Sequence, residues 1–332
     1  MKKTKVTAHL NEHISSDNLI YCSTFQLVWN ELSTFLKGKV SFTEQCSIVD
    51  ELNKMSFMKE HLDENCYLAY ADFISSGILN KIKTNLQQKF RETSKLDLDP
   101  KSFSPDDILA YSFLLKILTF EKKFEELNDF SFCDDGQGYT PVEAFGLKTV
   151  KRDTEKKLRN QVRVLYYRDD NDFTVSLRTL SQDYMVLAKT APQSTLQETL
   201  SKVRSNLWKD PDYLKDEETL QVPKLDFDLE HHYDELTRKI VCVDAKPTSY
   251  FVADAVQFIK FILNEEGAKL RSEAAMTLYK CASFSPPTIR HFVFNRPFLL
   301  YLTQGKDAPP YFVAWISNSE VMKVKRQCNQ LG

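Results

Sequence analysis

Glycine is scarce in this sequence: 8 residues of 332, well under the ~7% that is average. That leaves little room for glycine-rich phosphate loops or flexible linkers. Long uncharged apolar runs are missing too. The best of them, residues 18–29 and 292–302, are short or broken by Arg296, below the ~18–20 residues a membrane span needs. A soluble chain with no membrane partner is expected. Neither sign of charge dominates: 44 Lys and Arg against 46 Asp and Glu give a net charge of −2, which argues against nucleic-acid binding through a dense basic face. No Cys-x-x-Cys pair occurs among Cys22, Cys46, Cys66, Cys133, Cys242, Cys281 and Cys328. This odd, scattered set predicts free thiols in a reducing compartment rather than a structural zinc site. The start, Met1-Lys2-Lys3-Thr4-Lys5, is basic like a signal peptide, but His9, Glu12 and His13 stand where its apolar stretch belongs. A cytoplasmic protein, or one exported without a classical signal peptide, is expected.

What is present is apolar and aromatic. Hydrophobic residues make up 42% of the chain, with 23 Phe and 14 Tyr, enough for a sizeable core. Phe25, Trp29, Leu32 and Leu36 recur at three to four residues and predict a helix ending near Gly38 as C-cap. Residues 72–90 carry Phe73, Ile74, Ile78, Ile82 and Leu86 on one side and Lys81, Lys83 and Lys89 on the other, a second helical pattern. The first half is therefore expected to be helical. From Ile108 the texture turns toward strands. Residues 108–120 (ILAYSFLLKILTF) are apolar almost throughout, as in a strand buried on both faces, although periodicity alone leaves a buried helix open. Residues 162–167 and 173–177 flank the polar cluster Arg168-Asp169-Asp170-Asn171-Asp172 and read as a hairpin. Residues 221–229 alternate, and 251–263, 292–302 and 311–316 complete a strand-rich second half. Helices first and mixed elements after give an α+β class.

Chemistry-bearing constellations are few. His231-His232 lies among Asp226, Asp228, Glu230, Asp234 and Glu235, a mix that suits divalent cations. Adjacent side chains on a strand point to opposite faces, however, so the pair reads as a solvated strand end. Gly136-Gln137-Gly138 reads as a turn. No Gly-x-Ser-x-Gly elbow, His-Glu-x-x-His or Walker-type Gly-Lys-Ser/Thr occurs. No catalysis, no metal and no cofactor are expected. Arg290, Arg296 and Lys306 read as solvated charge rather than a polyanion patch.

The distinctive text is C-terminal. Residues 261–267 spell FILNEEG. Next come Ala268-Lys269-Leu270-Arg271, the small-residue run Ser272-Glu273-Ala274-Ala275-Met276-Thr277, a stretch holding Ser283-Phe284-Ser285-Pro286-Pro287, and then FVFNRPFLLYL at 292–302. A connection of that length in a compact domain is usually functional or disordered. This segment resembles the serpins, the serine-protease-inhibitor superfamily. Its members end strand 5A in an Asn-Glu-Glu-Gly-like sequence, continue through an Ala-rich hinge into an exposed reactive-centre loop, and resume with a signature that Asn295, Arg296, Pro297 and Phe298 fit. More weakly, residues 17–39 look like the family's strand 6B and helix B, 108–124 like strand 3A and its exit, and Val222-Pro223-Lys224-Leu225 like the strand beginning Pro-Lys-Phe. Residues 311–316 look like its last core strand, with Ala314 or Trp315 at the usual glycine. The resemblance implies one serpin-like α+β domain over 1–332, acting as a monomer. It would have three β-sheets, a reduced helix set lacking most of helix A, no room for helix F between 90 and 104, and a reactive-centre-like loop at about 268–290.

A serpin inhibits by being cut, after which the loop inserts into sheet A as a new strand and the trapped protease is distorted. Alternate loop side chains then enter the core, so hinge positions must be small and uncharged. Glu265, Glu266 and Gly267 open the hinge. Counted directly from Gly267, Leu270, Arg271 and Glu273 occupy positions where alanine is expected, and the scissile bond falls near Cys281. Treating 268–271 as an insertion makes Ser272, Glu273, Ala274, Ala275 and Thr277 the hinge and moves the bond to Ser283 or Phe284. Both alignments stay open, with Cys281, Ala282, Ser283, Phe284 and Ser285 as the candidate scissile region. In the sheet-opening machinery Ser112 stands where the family has Asn, Gln257 where it has His, and Phe120 where it has Trp, so a Ser–Gln hydrogen bond is expected in place of Asn–His. The altered hinge predicts a non-inhibitory or weakly inhibitory serpin-like protein presenting its loop to a protease or another protein. The alternative is a suicide-substrate inhibitor of a chymotrypsin-like serine protease or a cysteine protease; a third possibility is a substrate that is cut without trapping.

Overall fold

The computed structural model describes residues 3–93, 96, 104, 106–134, 138–148, 156–267 and 289–325. In chain order the first elements are β1 (Thr4–Thr7), β2 (Asn18–Cys22), α1 (Thr24–Leu36), β3 (Val40–Phe42), α2 (Ser47–Leu52), β4 (Tyr67–Phe73) and α3 (Ile78–Asn85). There follow β5 (Ile108–Ile117), β6 (Glu125–Leu127), β7 (Ser131–Asp134), β8 (Gly138–Pro141), β9 (Ala144–Leu147) and α4 (Lys156–Arg159). The hairpin strands are β10 (Val162–Asp169) and β11 (Asp172–Arg178), leading to β12 (Asp183–Lys189), α5 (Leu196–Ser205) and β13 (Asp212–Tyr213). The last are β14 (Thr219–Pro223), β15 (Leu225–His232), β16 (Ile240–Val243), β17 (Lys246–Leu263), β18 (His291–Val293), β19 (Phe298–Gln304) and β20 (Pro310–Ile316).

Among the described residues three large sheets and a two-stranded ribbon result. An eight-stranded sheet runs β1-β2-β20-β19-β12-β11-β10-β13, a four-stranded sheet β18-β14-β9-β6, and a six-stranded sheet β3-β16-β17-β5-β4 with β15 also on β17; β7 and β8 form the ribbon. β17 is long enough to serve two partners on one edge. Its first part pairs with β16 from Ile240 opposite Phe251, and its second with β15 from His232 opposite Val256 to Leu225 opposite Leu263. On its other edge it runs parallel to β5.

Burial follows from side-chain chemistry. α1 buries Phe25, Val28, Trp29 and Leu32, the three-to-four spacing of one helix face, against Ile108, Ala110, Val252 and Ala255 of the six-stranded sheet. α5 opens with a capping box, in which the Glu198 N–H donates to Thr195 Oγ1 at 3.2 Å and the Thr195 N–H to Glu198 Oε2 at 3.3 Å. It lays Leu196, Leu200 and Val203 on Val186, Leu299 and Trp315 of the eight-stranded sheet. The main core lies between the large sheets, where Phe261 of β17 stacks on Phe312 of β20 with centroids 4.9 Å apart. Such an aromatic pair adds about 1 kcal/mol beyond its buried area.

Four expectations need correction. The first half is not mainly helical, since it holds β1 to β9. The helix expected over 72–90 starts only at Ile78: Phe73 closes β4, and the helix runs on as a π turn, Leu86–Phe90. The residue that ends α1 in the left-handed conformation is Lys37 (φ 56°) rather than Gly38, whose added Cβ would lie 2.5 Å from Val243 Cγ1. The runs 221–229 and 292–302 are each two strands, broken at Lys224 and over 294–297. β5, the β10–β11 hairpin, β19 and β20 match their expected positions.

Candidate functional site

β17 ends at Leu263, and the chain leaves the sheet through Asn264, Glu265, Glu266 and Gly267. This stem is pinned against the exit of β5. The Phe120 N–H donates to Glu266 O at 3.2 Å and the Phe124 N–H to Glu265 O at 2.8 Å. Gly267 has φ +66°, and a Cβ there would lie 2.0 Å from Leu118 O, so the close approach requires glycine. Beneath the stem Phe120 packs on Phe124 (4.9 Å) and Phe145 (5.8 Å), an aromatic platform where the resemblance put Phe120 in place of Trp.

Glu265 is buried and faces Lys224, the residue between β14 and β15. Their ion pair is 2.6 Å long, with side chains 9% and 7% exposed. Lys224 also reaches Glu143 at 3.3 Å and Glu126 at 3.6 Å. Burial pushes the Glu265 carboxyl up, but Lys224 outweighs it and leaves the group below its ordinary value. Burial likewise pulls Lys224 down, and Glu265 and Glu126 return it to above its ordinary value. Lys123, exposed, adds contacts to Glu266 at 3.1 Å and Glu265 at 3.5 Å.

The distal stem is held from the other end of β14. Arg290 is 8% exposed; its Nε bonds Glu218 Oε1, its Nη2 bonds Glu218 Oε2 at 2.9 Å and Asp212 Oδ2 at 3.3 Å. Its guanidinium lies 5.4 Å from the Phe292 ring centroid. A bidentate, charge-assisted pair of this kind fixes orientation as well as position. It holds the start of β18, which rests on β14 by three parallel pairs, from Thr219 opposite His291 to Gln221 opposite Val293.

Halfway along the seam Ser112 of β5 and Gln257 of β17 are register partners, as expected, and both are fully buried. The hydrogen bond expected between them is not made. Ser112 Oγ has no partner. Gln257 Oε1 instead accepts from the Tyr233 hydroxyl at 2.7 Å, while Nε2 donates to Cys22 O at 3.1 Å and Thr24 Oγ1 at 2.8 Å. A serine is too short to compete with three partners already in reach. The expected position of the His pair at a strand end holds: His231 meets Tyr233 edge-on at 4.5 Å. His232 is clamped between Glu230 (2.9 Å) and Asp254 (3.0 Å). No group able to hold a metal occurs among the described residues.

Of the expected site residues, the structure thus brings Glu265, Glu266, Gly267 and Phe120 together at the stem and Ser112 and Gln257 together at mid-seam. Ser272, Glu273, Ala274, Ala275, Thr277, Cys281, Ala282, Ser283, Phe284 and Ser285 lie outside the described residues, as do Gly136 and Gln137. Sequence reading missed the roles of Tyr233, Thr24, Arg290 and Glu218. Lys224 alone carried a signal, as a single charge set between the apolar Val222 and Leu225.

No protein-family model matches the chain, and no curated protein matches it. Solved structures do. Two structures of thyroxine-binding globulin with thyroxine, one of them stated to be human, are 10% identical with a TM-score of 0.54; the matches cover 91% of this chain and 93% and 92% of theirs. Serpin48 of the insect Tenebrio molitor, described as a highly specific serpin, is 11% identical with a TM-score of 0.48 over 89% of this chain and 96% of its own. At such identities the likeness to thyroxine-binding globulin speaks to the fold alone.

Proposed function

We propose that this chain, which has a divergent serpin-like fold, presents residues 268–288 as a recognition loop to a protease or another protein and does not insert that loop into its six-stranded sheet. The observation that carries the reading is the altered hinge, in which Leu270, Arg271 and Glu273 stand where insertion asks for small uncharged residues when counted directly from Gly267. The seam that would have to open is β5 against β17, paired directly from Ile108 opposite Val252 to Ile117 opposite Ile262. A strand returning antiparallel from Gly267 would need an edge of β17, and both edges are taken, one by β15 and one by β5. Parallel pairing is the weaker of the two, so β5 is the side that would have to yield. Opening there would also break the two backbone bonds that tie the stem to the exit of β5, Phe120 N–H to Glu266 O and Phe124 N–H to Glu265 O. In the ungapped alignment, burying an unpaired Arg271 or Glu273 costs several kcal/mol. Thyroxine-binding globulin, whose name states that it binds thyroxine, supports use of the fold for binding; no catalysis is assigned. The alternative, suicide-substrate inhibition, draws on the small run Ser272 to Thr277 in the gapped alignment.

The experiment is to cut the loop with a protease, confirm the nick by mass spectrometry and melt the product. Insertion adds a ladder of hydrogen bonds worth about 1 kcal/mol each, so an inserting loop raises the melting temperature sharply. The expected result is an unchanged melting temperature; a marked rise overturns the reading in favour of the alternative.

A further inference from the structure

Beneath the upper half of the seam lies a buried charge cluster apart from the two stems. Lys116 of β5 is 7% exposed and stands in register with Phe261 of β17. Its Nζ meets Asp183 Oδ1, at the start of β12 in the eight-stranded sheet, at 2.9 Å and lies 5.1 Å from the Tyr311 ring centroid. The carboxylate is further satisfied by the Tyr311 hydroxyl on Oδ1 and Ser181 Oγ on Oδ2, each at 2.6 Å. The nearby Cys66 thiol is pushed up to about 11 by burial, so it stays neutral and leaves Asp183 as the counter-ion of Lys116. Backbone contacts continue the stitch upward: the Leu180 N–H donates to Thr119 O at 2.8 Å, and Phe120 forms a bridge with Thr179.

We propose that the Lys116–Asp183–Tyr311 cluster bolts β5 to the eight-stranded sheet and thereby holds the upper seam between β5 and β17 shut. Strands in a sheet are about 4.8 Å apart, so admitting one more between β5 and β17 moves them apart by that amount. A shift of β5 of that size separates a 2.9 Å ion pair in a low-dielectric interior, leaving each charge uncompensated. A shift of β17 instead pulls Gln257 from Cys22 and Thr24. The inference rests on the non-inserting reading above and names the element that enforces it.

The test is hydrogen exchange, followed by mass spectrometry, on the full chain and on the double variant Lys116→Met with Asp183→Asn. Removing both charges avoids an orphaned ion, so the variant is expected to fold. Amides of 113–117 and 259–262 are expected to exchange about tenfold faster, with β10, β11, β19 and β20 unchanged. Lys116→Arg, which keeps the pair, is expected to retain slow exchange. Unchanged exchange at the seam, or equal acceleration in every sheet, overturns the bolt. The non-inserting reading fails by a different sign, a melting temperature that rises after the loop of the unmodified protein is cut, so the two failures are distinguishable.

Discussion

Ser112 and Gln257 show how a buried pair can share a register without sharing a bond. Ser112 Oγ is buried and unpartnered, and an unsatisfied buried hydroxyl is a net cost of about 1–3 kcal/mol. Ser112→Ala is therefore expected to raise stability by about 1 kcal/mol in urea unfolding. Gln257→Leu should lower it by at least ~2 kcal/mol, because it strands the Tyr233 hydroxyl and the Cys22 carbonyl; equal effects of the two would contradict the hydrogen-bond assignment. His232 carries a pH signature. Partial burial opposes its charge, but Glu230 and Asp254 outweigh that and raise its pKa. Its contribution is then fully present below the unfolded value of about 6.5 and is lost as pH rises through the raised folded value. A stability profile in which His232→Gln removes a decline above neutrality would confirm this; a profile unaltered by the substitution would refute it.

At the scale of elements, the loop stems depend on β14, which is flanked by Glu218 on one side and Lys224 on the other. Lys224→Met removes the 2.6 Å partner of the buried Glu265 and leaves it only the exposed Lys123 at 3.5 Å, which destabilises the docked stem. The stem is expected to detach, read as faster proteolysis and amide exchange at 264–267. Acid should do the same: the lowered Glu265 pKa contributes stability above its unfolded value, lost as pH falls through the folded one. Gly267→Ala is expected to release the stem as well, through its positive φ and the Leu118 carbonyl 2.0 Å away; tight docking in that variant would exclude the stem geometry. These elements were unequally legible in the sequence. β5 and the β10–β11 hairpin announced themselves by apolar runs and a polar turn. β2 and β3 are too short for periodicity to register, and β4 passes without a break into the 3-10 turn Ile74–Ser76. The partners of Gln257 lie 235, 233 and 24 residues away, contacts that only the tertiary fold creates. The signature at 295–298, by contrast, is written in particular letters, and the serpin-like fold it implied is the one found; the hinge residues beyond Gly267 lie outside the described residues.

In the whole molecule two anchored stems, 264–267 and 290–293, flank a seam that is already paired. Sheet order explains why: β17 has β15 on one edge and β5 on the other, and β5 is tied to the eight-stranded sheet by Lys116. Loop exposure and loop insertion are separate properties, and the proposed function takes the first without the second. The most direct test is to incubate the purified protein with chymotrypsin-, elastase- and cathepsin-like proteases, denature the mixture, and separate it on a gel while mapping cuts by mass spectrometry. The account predicts a nicked chain cut between Cys281 and Ser285 and no band of higher mass. A covalent protease complex that survives denaturation would contradict it and establish trapping by an inserting loop.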